Sequence, residues 1–151
     1  MFSGIAQIIG MLLPLTRDTV TKTENWLKSN TYHHSDFREL YKLAALKKKK
    51  GLTISLCIPS FNEEETIAKE VVLFRSELVS QHSLLDEVAV IDSGSTDDTL
   101  KIASEFSADI YRADEILLHL DKKKGKGDNL WKAIYQLKGD VIVYVDADSV
   151  L

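Results

Sequence analysis

The sequence contains a single cysteine, Cys57, among 151 residues. With no second cysteine the chain cannot form an internal disulfide, which fits a reducing compartment, and the apolar neighbours of Cys57 predict a small core residue. Basic residues are also few, since 19 lysines and arginines face 23 acidic residues and give a formal net charge of −4. Nucleic-acid-binding proteins normally carry a basic face. We therefore predict a cytoplasmic protein with no nucleic-acid partner.

The sequence also lacks an apolar segment long enough to span a bilayer. Its N-terminal stretch, residues 1–15, is apolar but too short for a span. It has neither the basic start nor the small-residue cleavage site of a signal peptide. We predict no stable membrane insertion and expect this stretch to form an amphipathic helix that packs on the body or on a second subunit. Contact with a membrane surface is the alternative.

Several catalytic and nucleotide-binding signatures are missing. Neither G-x-x-x-x-G-K-[ST] nor G-x-G-x-x-G occurs, which excludes the usual nucleoside triphosphatases and dinucleotide-binding proteins. No Ser-His-Asp, Cys-His or zinc-ligand spacing is evident. The adjacent residues His33 and His34 point about 100° apart on a helix, so we expect a structural role or a role in acceptor binding rather than a metal site. Ser35 or Asp36 is predicted to cap the helix that follows.

From residue 52 onward, short apolar runs alternate with amphipathic stretches. Strands are predicted at 53–58 (stopped by Pro59), 87–91, 109–112 and 141–145. The helices between them carry apolar stripes, formed by Ile67, Val71, Phe74 and Leu78, by Leu100, Ala103 and Phe106, and by Leu130, Ala133, Ile134 and Leu137. This β-α-β-α-β-α-β order predicts an α/β fold with a mostly parallel sheet flanked by helices.

Two domains are predicted around this pattern. Residues 1–50 form a helical segment with mixed apolar contacts, and residues 51–151 form the α/β part. Lys47–Lys50 is interpreted as a solvated linker into the first strand, with a phosphate-attracting patch as the alternative. Two capping boxes are predicted within the α/β part, Asn62 with Glu65 and Ser95 with Asp98.

The last strand and the residues after it carry the strongest chemical signal. Residues 141–145 predict a buried strand, and Asp146 and Asp148 follow it. Residues at i and i+2 of an extended segment point the same way, so both carboxylates could hold a hard cation such as Mg²⁺ or Mn²⁺. A solvated turn after the strand is the alternative. Ligands of open α/β sheets bind at the carboxyl ends of strands.

Four polar segments should meet at this edge, namely 59–63, 92–98, 124–127 and 146–148. Their carboxylates, backbone amides and one lysine suit a nucleoside diphosphate held with a metal. Asp148, assisted by Asp146, would bind the metal, and Lys126 would add a positive charge beside the diphosphate. The alternatives are a capped helix start at 92–98 and a surface lysine at Lys126.

Residues 52–149 resemble the nucleotide-binding half of a family 2-type glycosyltransferase of the GT-A (Rossmann-like) fold. The shared strings are Pro-Ser-Phe-Asn-Glu-Glu at 59–64, Asp-Ser-Gly-Ser-Thr-Asp-Asp-Thr at 92–99 and Asp-Ala-Asp at 146–148. More closely, Tyr-His-His-Ser-Asp-Phe at 32–37 and Gly-Lys-Gly at 125–127, followed by Trp131, resemble the glucosyl-3-phosphoglycerate synthase family, a family 2-like or family 81 glycosyltransferase.

The resemblance implies a retaining transfer of glucose from UDP-glucose to 3-phosphoglycerate with Mg²⁺ or Mn²⁺, and it suggests a homodimer. It assigns nucleotide-sugar binding to Pro59, Ser60, Phe61, Glu63, Asp92, Ser93, Lys126, Asp146 and Ala147, and metal binding to Asp148 and Asp146. The catalytic residues stay unassigned. Family members run well past the Asp-x-Asp segment, so we expect a truncated fold that binds nucleotide weakly and does not turn over.

Three alternatives stay open at this point. One is a GT-A transferase that uses another sugar, such as a mannose donor. A second is a GT-A transferase with a lipid-phosphate acceptor, since the loops on the donor side constrain the nucleotide more than the sugar or the acceptor. The third is a non-catalytic nucleotide-binding or assembly module in which residues 1–46 serve oligomerisation.

Overall fold

The computed structural model describes residues 17–120 and 126–148. Its helices are α1 (Arg17–Asn30), α2 (Leu40–Lys50), α3 (Ile67–Phe74), α4 (Thr99–Glu105) and α5 (Lys126–Gln136). Its strands are β1 (Ile54–Ser60), β2 (Glu87–Asp92), β3 (Asp109–Arg112) and β4 (Val141–Tyr144). Arg75–Gln81 extends α3 as a π-helix, and single 3₁₀ turns lie at His34–Phe37 and Ala113–Glu115. No helix among these residues is long and apolar enough to cross a membrane.

The chain divides into two compact units, Met1–Arg38 and Glu39–Leu151. The predicted domain division between residues 50 and 51 stays a prediction, and the amphipathic helix predicted at 1–15 lies outside the described residues. In the first unit, His33 caps the 3₁₀ turn, because its Nδ1 accepts from the amide of Ser35 while its own amide donates to Asp36 at 2.8 Å. Helix α2 follows Glu39 and has no side-chain cap, so the predicted cap by Ser35 or Asp36 is wrong.

The second unit is a three-layer α/β structure. Its four described strands are parallel and lie in the order β3-β2-β1-β4. Leu56 and Ile58 of β1 face one side of the sheet, in a core with Ile67 and Val71 of α3. Cys57 faces the other side and shares a second core with residues of α5. The alternating β/α order predicted this arrangement, which is confirmed.

Strand β1 does not stop at Pro59 as predicted, but continues to Ser60. The carbonyl of Cys57 accepts from the amide of Val145, so the backbone groups of Cys57 face the β4 side. Backbone groups two residues apart on a strand face the same side, so the nitrogen of Pro59 also faces that side. Strand β4 has already ended there, at Tyr144. The missing N–H of proline therefore removes no hydrogen bond between strands.

The basic run Lys47–Lys50 is helical and not a linker. It forms the last turn of α2, which ends at Gly51 in the left-handed conformation (φ 64°). Lysines at a helix C-terminus interact favourably with the helix dipole. Lys47 lies 2.6 Å from the carboxylate of Asp86, and this ion pair ties α2 to the residue before β2.

Strand β4 was predicted to be buried, and this is wrong for the described sheet. It pairs only with β1 there and forms the outer strand, with Val141 and Val143 about 40% exposed. At its start the amide of Gly139 donates to Ser55 Oγ at 2.9 Å. A Cβ at position 139 would lie 2.5 Å from the amide nitrogen of Ser55. Only glycine allows this close approach.

Candidate functional site

A hollow of about 720 Å³ opens at the carboxyl ends of the strands. The chain runs from β1 to β2 and β3 on one side and then returns to place β4 on the other side of β1, so the strand order reverses at β1. Open α/β sheets bind ligands in the crevice at such a switch in strand order. The lining residues are Pro59, Ser60, Phe61, Glu63, Ser93, Gly94, Thr96, Asn129, Asp146, Ala147 and Asp148.

Most of the predicted site residues meet in this hollow. Of the ten, eight line it, and the exceptions are Asp92 and Lys126. Asp92 lies beneath the surface at the end of β2, and the Lys126 side chain lies outside the described residues. Of the four segments predicted to share one edge, 59–63, 92–98 and 146–148 do so, whereas most of 124–127 lies outside the described residues.

One wall of the hollow is formed by loops 61–66 and 93–98, here called the hydrogen-bonded wall. The amide of Asn62 donates to Ser95 Oγ at 2.8 Å, and the amide of Thr96 donates to Asn62 Oδ1 at 2.9 Å. The amide of Glu64 donates to Asp97 Oδ2, and the amide of Asp98 donates to Glu64 Oε2 at 3.0 Å. Each loop thus supplies acceptors for amides of the other.

Both predicted capping boxes are wrong. Asn62 has a left-handed backbone (φ 56°) and binds the neighbouring loop, while α3 starts at Ile67 without a side-chain cap. Ser95 donates to Asp92 Oδ1 rather than capping α4, which also starts without a side-chain cap. The side chains that fit a local cap in the sequence form bonds between the two loops instead.

Asp92 holds the base of this wall. Its carboxylate is 1% exposed and accepts from the amides of Gly94 and Ser95 at 2.8 and 2.9 Å. It also accepts from the hydroxyls of Ser60 at 3.2 Å and of Ser95. A buried carboxylate with four protein donors has its acceptor sites largely filled. Asp92 therefore shapes the turn after β2 from below the hollow.

The Asp97 carboxylate closes the far end of the wall. Partial loss of solvent acts to raise its pKa, but the hydrogen bonds from the Thr99 hydroxyl and amide and from the Glu64 amide outweigh this. The pKa of Asp97 is consequently held below its ordinary value of 3.8. Hydrogen bonds to a carboxylate favour its ionised form.

The first turn of α5 forms the floor of the hollow. Asn129 is 1% exposed and bonds Ser93 and the carbonyl of Ile91. Beside it, Asp128 lies 2.7 Å from Lys132, and both side chains are about 96% buried. Lys132 also donates to the carbonyl of Ala113 at 2.6 Å. These bonds fix the start of α5 against the carboxyl ends of β2 and β3.

The sequence analysis missed this floor because it predicted a purely apolar buried face for α5, of which Ala133 and Leu137 are buried as predicted. Ile134 was predicted to face the core and is 64% exposed. Asn129, Ala133 and Leu137, at steps of four, are buried, and so are Asp128 and Lys132 beside them. That spacing is visible in the sequence, but it requires three polar residues on the buried face. Polar residues are buried only where they have partners.

The opposite wall, residues 146–148, is here called the carboxylate wall. Ala147 is 3% exposed and packs on the core, whereas Asp146 and Asp148 are exposed at the rim. Within the described residues no group of three or more His, Cys, Asp or Glu side chains is placed to hold a metal ion. Mg²⁺ commonly binds through one or two carboxylates together with substrate phosphates. Two exposed carboxylates facing an open hollow fit that mode of binding.

Together the fold and the hollow define an α/β domain with an open crevice at the switch in strand order, the place where such sheets bind ligands. Residues 55–151 match the family model for glycosyl transferase family 2. The chain belongs to this family and has the GT-A fold, so the predicted family and fold class are confirmed.

Curated and solved proteins give the same result. The chain is 50% identical over 125 residues to glucosyl-3-phosphoglycerate synthase of Petrotoga mobilis, covering 83% of this chain and 38% of that protein. It is 38% identical, with a TM-score of 0.65, to glucosyl-3-phosphoglycerate synthase of Mycobacterium tuberculosis solved with Mn²⁺, UDP-glucose and phosphoglyceric acid, covering 72% of this chain and 36% of that one. It is 30% identical, with a TM-score of 0.78, to mannosyl-3-phosphoglycerate synthase of Rubrobacter xylanophilus, covering 83% of this chain and 40% of that one. The chain thus spans about two fifths of these relatives.

Proposed function

We propose that this chain is the nucleotide-sugar-binding part of a retaining glycosyltransferase that moves glucose from UDP-glucose to 3-phosphoglycerate, with Mg²⁺ or Mn²⁺ required. The observation that carries the proposal is the hollow itself, which gathers eight of the ten predicted site residues. The M. tuberculosis relative, solved with Mn²⁺, UDP-glucose and phosphoglyceric acid, supports the same ligands for this chain.

The hydrogen-bonded wall would hold the nucleoside. Phe61 is 56% exposed at the rim and, with Pro59, offers apolar surface to a flat base. Glu63 presents a carboxylate that accepts hydrogen bonds from ribose hydroxyls. Ser60 and Asp92 are bonded to each other beneath this surface and would position it. Because the loops already bond each other, little ordering should be needed when the nucleoside binds.

The carboxylate wall would hold the diphosphate through the divalent cation. Asp148 is the principal ligand in this proposal, Asp146 assists it, and the diphosphate oxygens complete the coordination. When bound, the cation supplies positive charge that stabilises the departing diphosphate. Lys126 would add a further positive charge there.

In the proposed reaction the bond between the anomeric carbon and the diphosphate oxygen breaks. A new bond forms to the 2-hydroxyl oxygen of 3-phosphoglycerate, that hydroxyl passes its proton to the departing diphosphate, and UDP leaves with the electron pair. The contribution of this chain is to bind and orient the donor and to stabilise charge that develops on the leaving group, an effect larger in the transition state than in the ground state.

Calorimetry with the purified chain tests the donor assignment. We expect UDP to bind in the presence of Mn²⁺ and to bind at least about tenfold more weakly when the metal is chelated, a difference of about 1.4 kcal/mol. GDP is the matched control, since it carries the same diphosphate on a different base. If UDP does not bind with Mn²⁺ present, the proposal is wrong.

A mannose donor is the second candidate. The R. xylanophilus mannosyl-3-phosphoglycerate synthase has the higher TM-score, 0.78 against 0.65, although its identity to this chain is lower. Competition of UDP-glucose, GDP-glucose and GDP-mannose against bound UDP separates the two donors. The glucose assignment requires UDP-glucose to compete best.

Two further properties belong to the proposal. We expect a cytoplasmic protein, because the proposed donor and acceptor are phosphorylated metabolites, and a reducing compartment suits the buried thiol of Cys57. A homodimer stays a prediction, and sedimentation of the purified chain would test it.

A further inference from the structure

Asn129 is almost fully buried, yet it lines the hollow from the first turn of α5. We propose that Asn129 is a positioning residue that makes the hydroxyl of Ser93 a hydrogen-bond acceptor toward the ligand. This inference rests on the proposed function, because it concerns how the nucleoside would be recognised there.

The orientation of the Asn129 amide follows from its partner on β2. Its Nδ2 lies 2.8 Å from the carbonyl oxygen of Ile91. A carbonyl oxygen can only accept, so the NH₂ group must face it. The amide oxygen of Asn129 therefore faces the other partner, Ser93, with Oγ at 2.9 Å.

That orientation decides the role of the Ser93 hydroxyl. An amide oxygen can only accept, and a serine hydroxyl carries a single proton. The Ser93 hydroxyl must therefore donate to Asn129, which leaves its lone pairs for the hollow. The backbone is held as well, because the amide of Ser93 donates to the carbonyl of Ser60 at 3.0 Å. Ser93 thus presents an acceptor at a fixed place.

An acceptor at Ser93 selects a donor on the ligand. In a uridine diphosphate the donors are the imide N–H of the base and the 2′ and 3′ hydroxyls of the ribose, whereas the ionised diphosphate has none. A site built to bond a donor rejects a ligand that lacks it, because the acceptor that the bound ligand covers is then left unpaired. Ser93 should therefore discriminate at one of these three groups.

The test measures the affinities of UDP, 2′-deoxy-UDP, 3′-deoxy-UDP and CDP by calorimetry with Mn²⁺. CDP replaces the imide N–H by a lone pair. For the unaltered chain we expect one of the three analogues to bind about tenfold more weakly than UDP. In Ser93→Ala that ratio should fall close to one, and Asn129→Leu should lower it in the same way, because the freed hydroxyl can rotate and donate instead.

Two variants distinguish an effect on the orientation of the Ser93 hydroxyl from a general effect on folding. Asn129→Asp keeps an oxygen toward Ser93 but removes the donor to Ile91, so it should keep the selectivity ratio even if the protein is less stable. Ile134→Ala, on the exposed face of the same helix, should change nothing.

The failures are distinguishable. If UDP does not bind with Mn²⁺, the proposed function is wrong. If UDP binds but no analogue ratio depends on Ser93, or if Asn129→Leu keeps a ratio that Ser93→Ala abolishes, the inference about Asn129 is overturned.

Discussion

The two walls of the hollow are held in different ways. In the hydrogen-bonded wall, loops from β1 and β2 exchange hydrogen bonds through Asn62, Glu64, Ser95 and Asp97, and Asp92 holds their base. The carboxylate wall is anchored by the buried Ala147 and presents two exposed carboxylates. The hydrogen-bonded wall is held by bonds within the protein, whereas the carboxylates of the other wall would bind a cation together with a diphosphate.

This difference predicts that the hydrogen-bonded wall contributes mainly to stability and the carboxylate wall mainly to ligand binding. Substitutions in the hydrogen-bonded wall leave donors without partners and should lower stability. Substitution of the exposed Asp148 removes a carboxylate at the rim and should affect binding with little effect on stability. The predictions below test that division, beginning with the largest expected effect.

Asp92→Ala should break the hydrogen-bonded wall. The change leaves the half-buried amides of Gly94 and Ser95 and the buried hydroxyl of Ser60 without their acceptor, which should lower the free energy of unfolding by about 2–4 kcal/mol. Urea denaturation measures it. Asp109→Ala, at the exposed start of β3, is the matched control and should change stability by less than about 0.5 kcal/mol. Equal midpoints for the two variants would contradict the role of Asp92.

Asp148→Ala should weaken UDP binding and leave stability unchanged. The Mn²⁺-dependent part of UDP affinity should fall at least about tenfold, or about 1.4 kcal/mol, with an unchanged urea midpoint. Calorimetry with and without Mn²⁺ measures the first quantity, and Asp109→Ala again serves as the control. UDP binding that ignores both Mn²⁺ and Asp148→Ala would identify a non-catalytic nucleotide-binding module instead.

Asp97→Asn should lower the melting temperature by an amount that depends on pH, and this loss of stability should be smaller than that of Asp92→Ala. A carboxyl group with a lowered pKa stabilises the fold above its ordinary value, here 3.8, and this contribution is lost as the pH falls through the lowered pKa. The melting temperature of the unaltered chain should therefore exceed that of Asp97→Asn at pH 7, and the gap should close below pH 3.8. Asp98→Asn, whose exposed carboxylate is 3.9 Å from Lys101, is the control. A gap that persists in acid would refute this account.

The labelling rate of Cys57 measures how far a substitution in either wall destabilises the fold. Cys57 is fully buried in β1, and burial, with a further contribution from the charge of Glu87, raises the pKa of its thiol to about 12. Iodoacetamide reacts with the thiolate, so labelling of the folded protein at pH 8 should be very slow. Asp92→Ala should speed the labelling and Asp148→Ala should not. Equal rates in these two variants would show that the walls do not differ in stability.

The sequence predicts the order of the elements well because that order depends on local apolar periods. Strand β3 has the predicted bounds, 109–112, and the stripe from Ile67 to Leu78 faces the core. The burial of β4 could not be predicted, because a run of β-branched residues is the same on an inner and an outer strand. Its exposure depends on which strands lie beside it.

The candidate site was predictable where it depends on topology. Carboxyl ends of parallel strands share one edge, so the loops after β1, β2 and β4 had to meet. Partners across loops were not predictable. The side chain of Asn62 bonds Thr96, 34 residues away, although Asn62 and Glu65 fit a local cap equally well. Asn129 was missed for a similar reason, since a buried amide cannot be recognised without its two partners.

Gly139 bears on the site from the other end of the sheet. Its contact with Ser55 fixes how β4 pairs with β1, and a slip of one residue would send each side chain of the strand to the opposite face. The alignment of Asp146 and Asp148 is thus determined roughly 20 Å away along the strand. A single methyl group placed at position 139 would misalign the proposed metal ligands from a distance, and metal affinity would change although no residue that contacts the ligand is substituted.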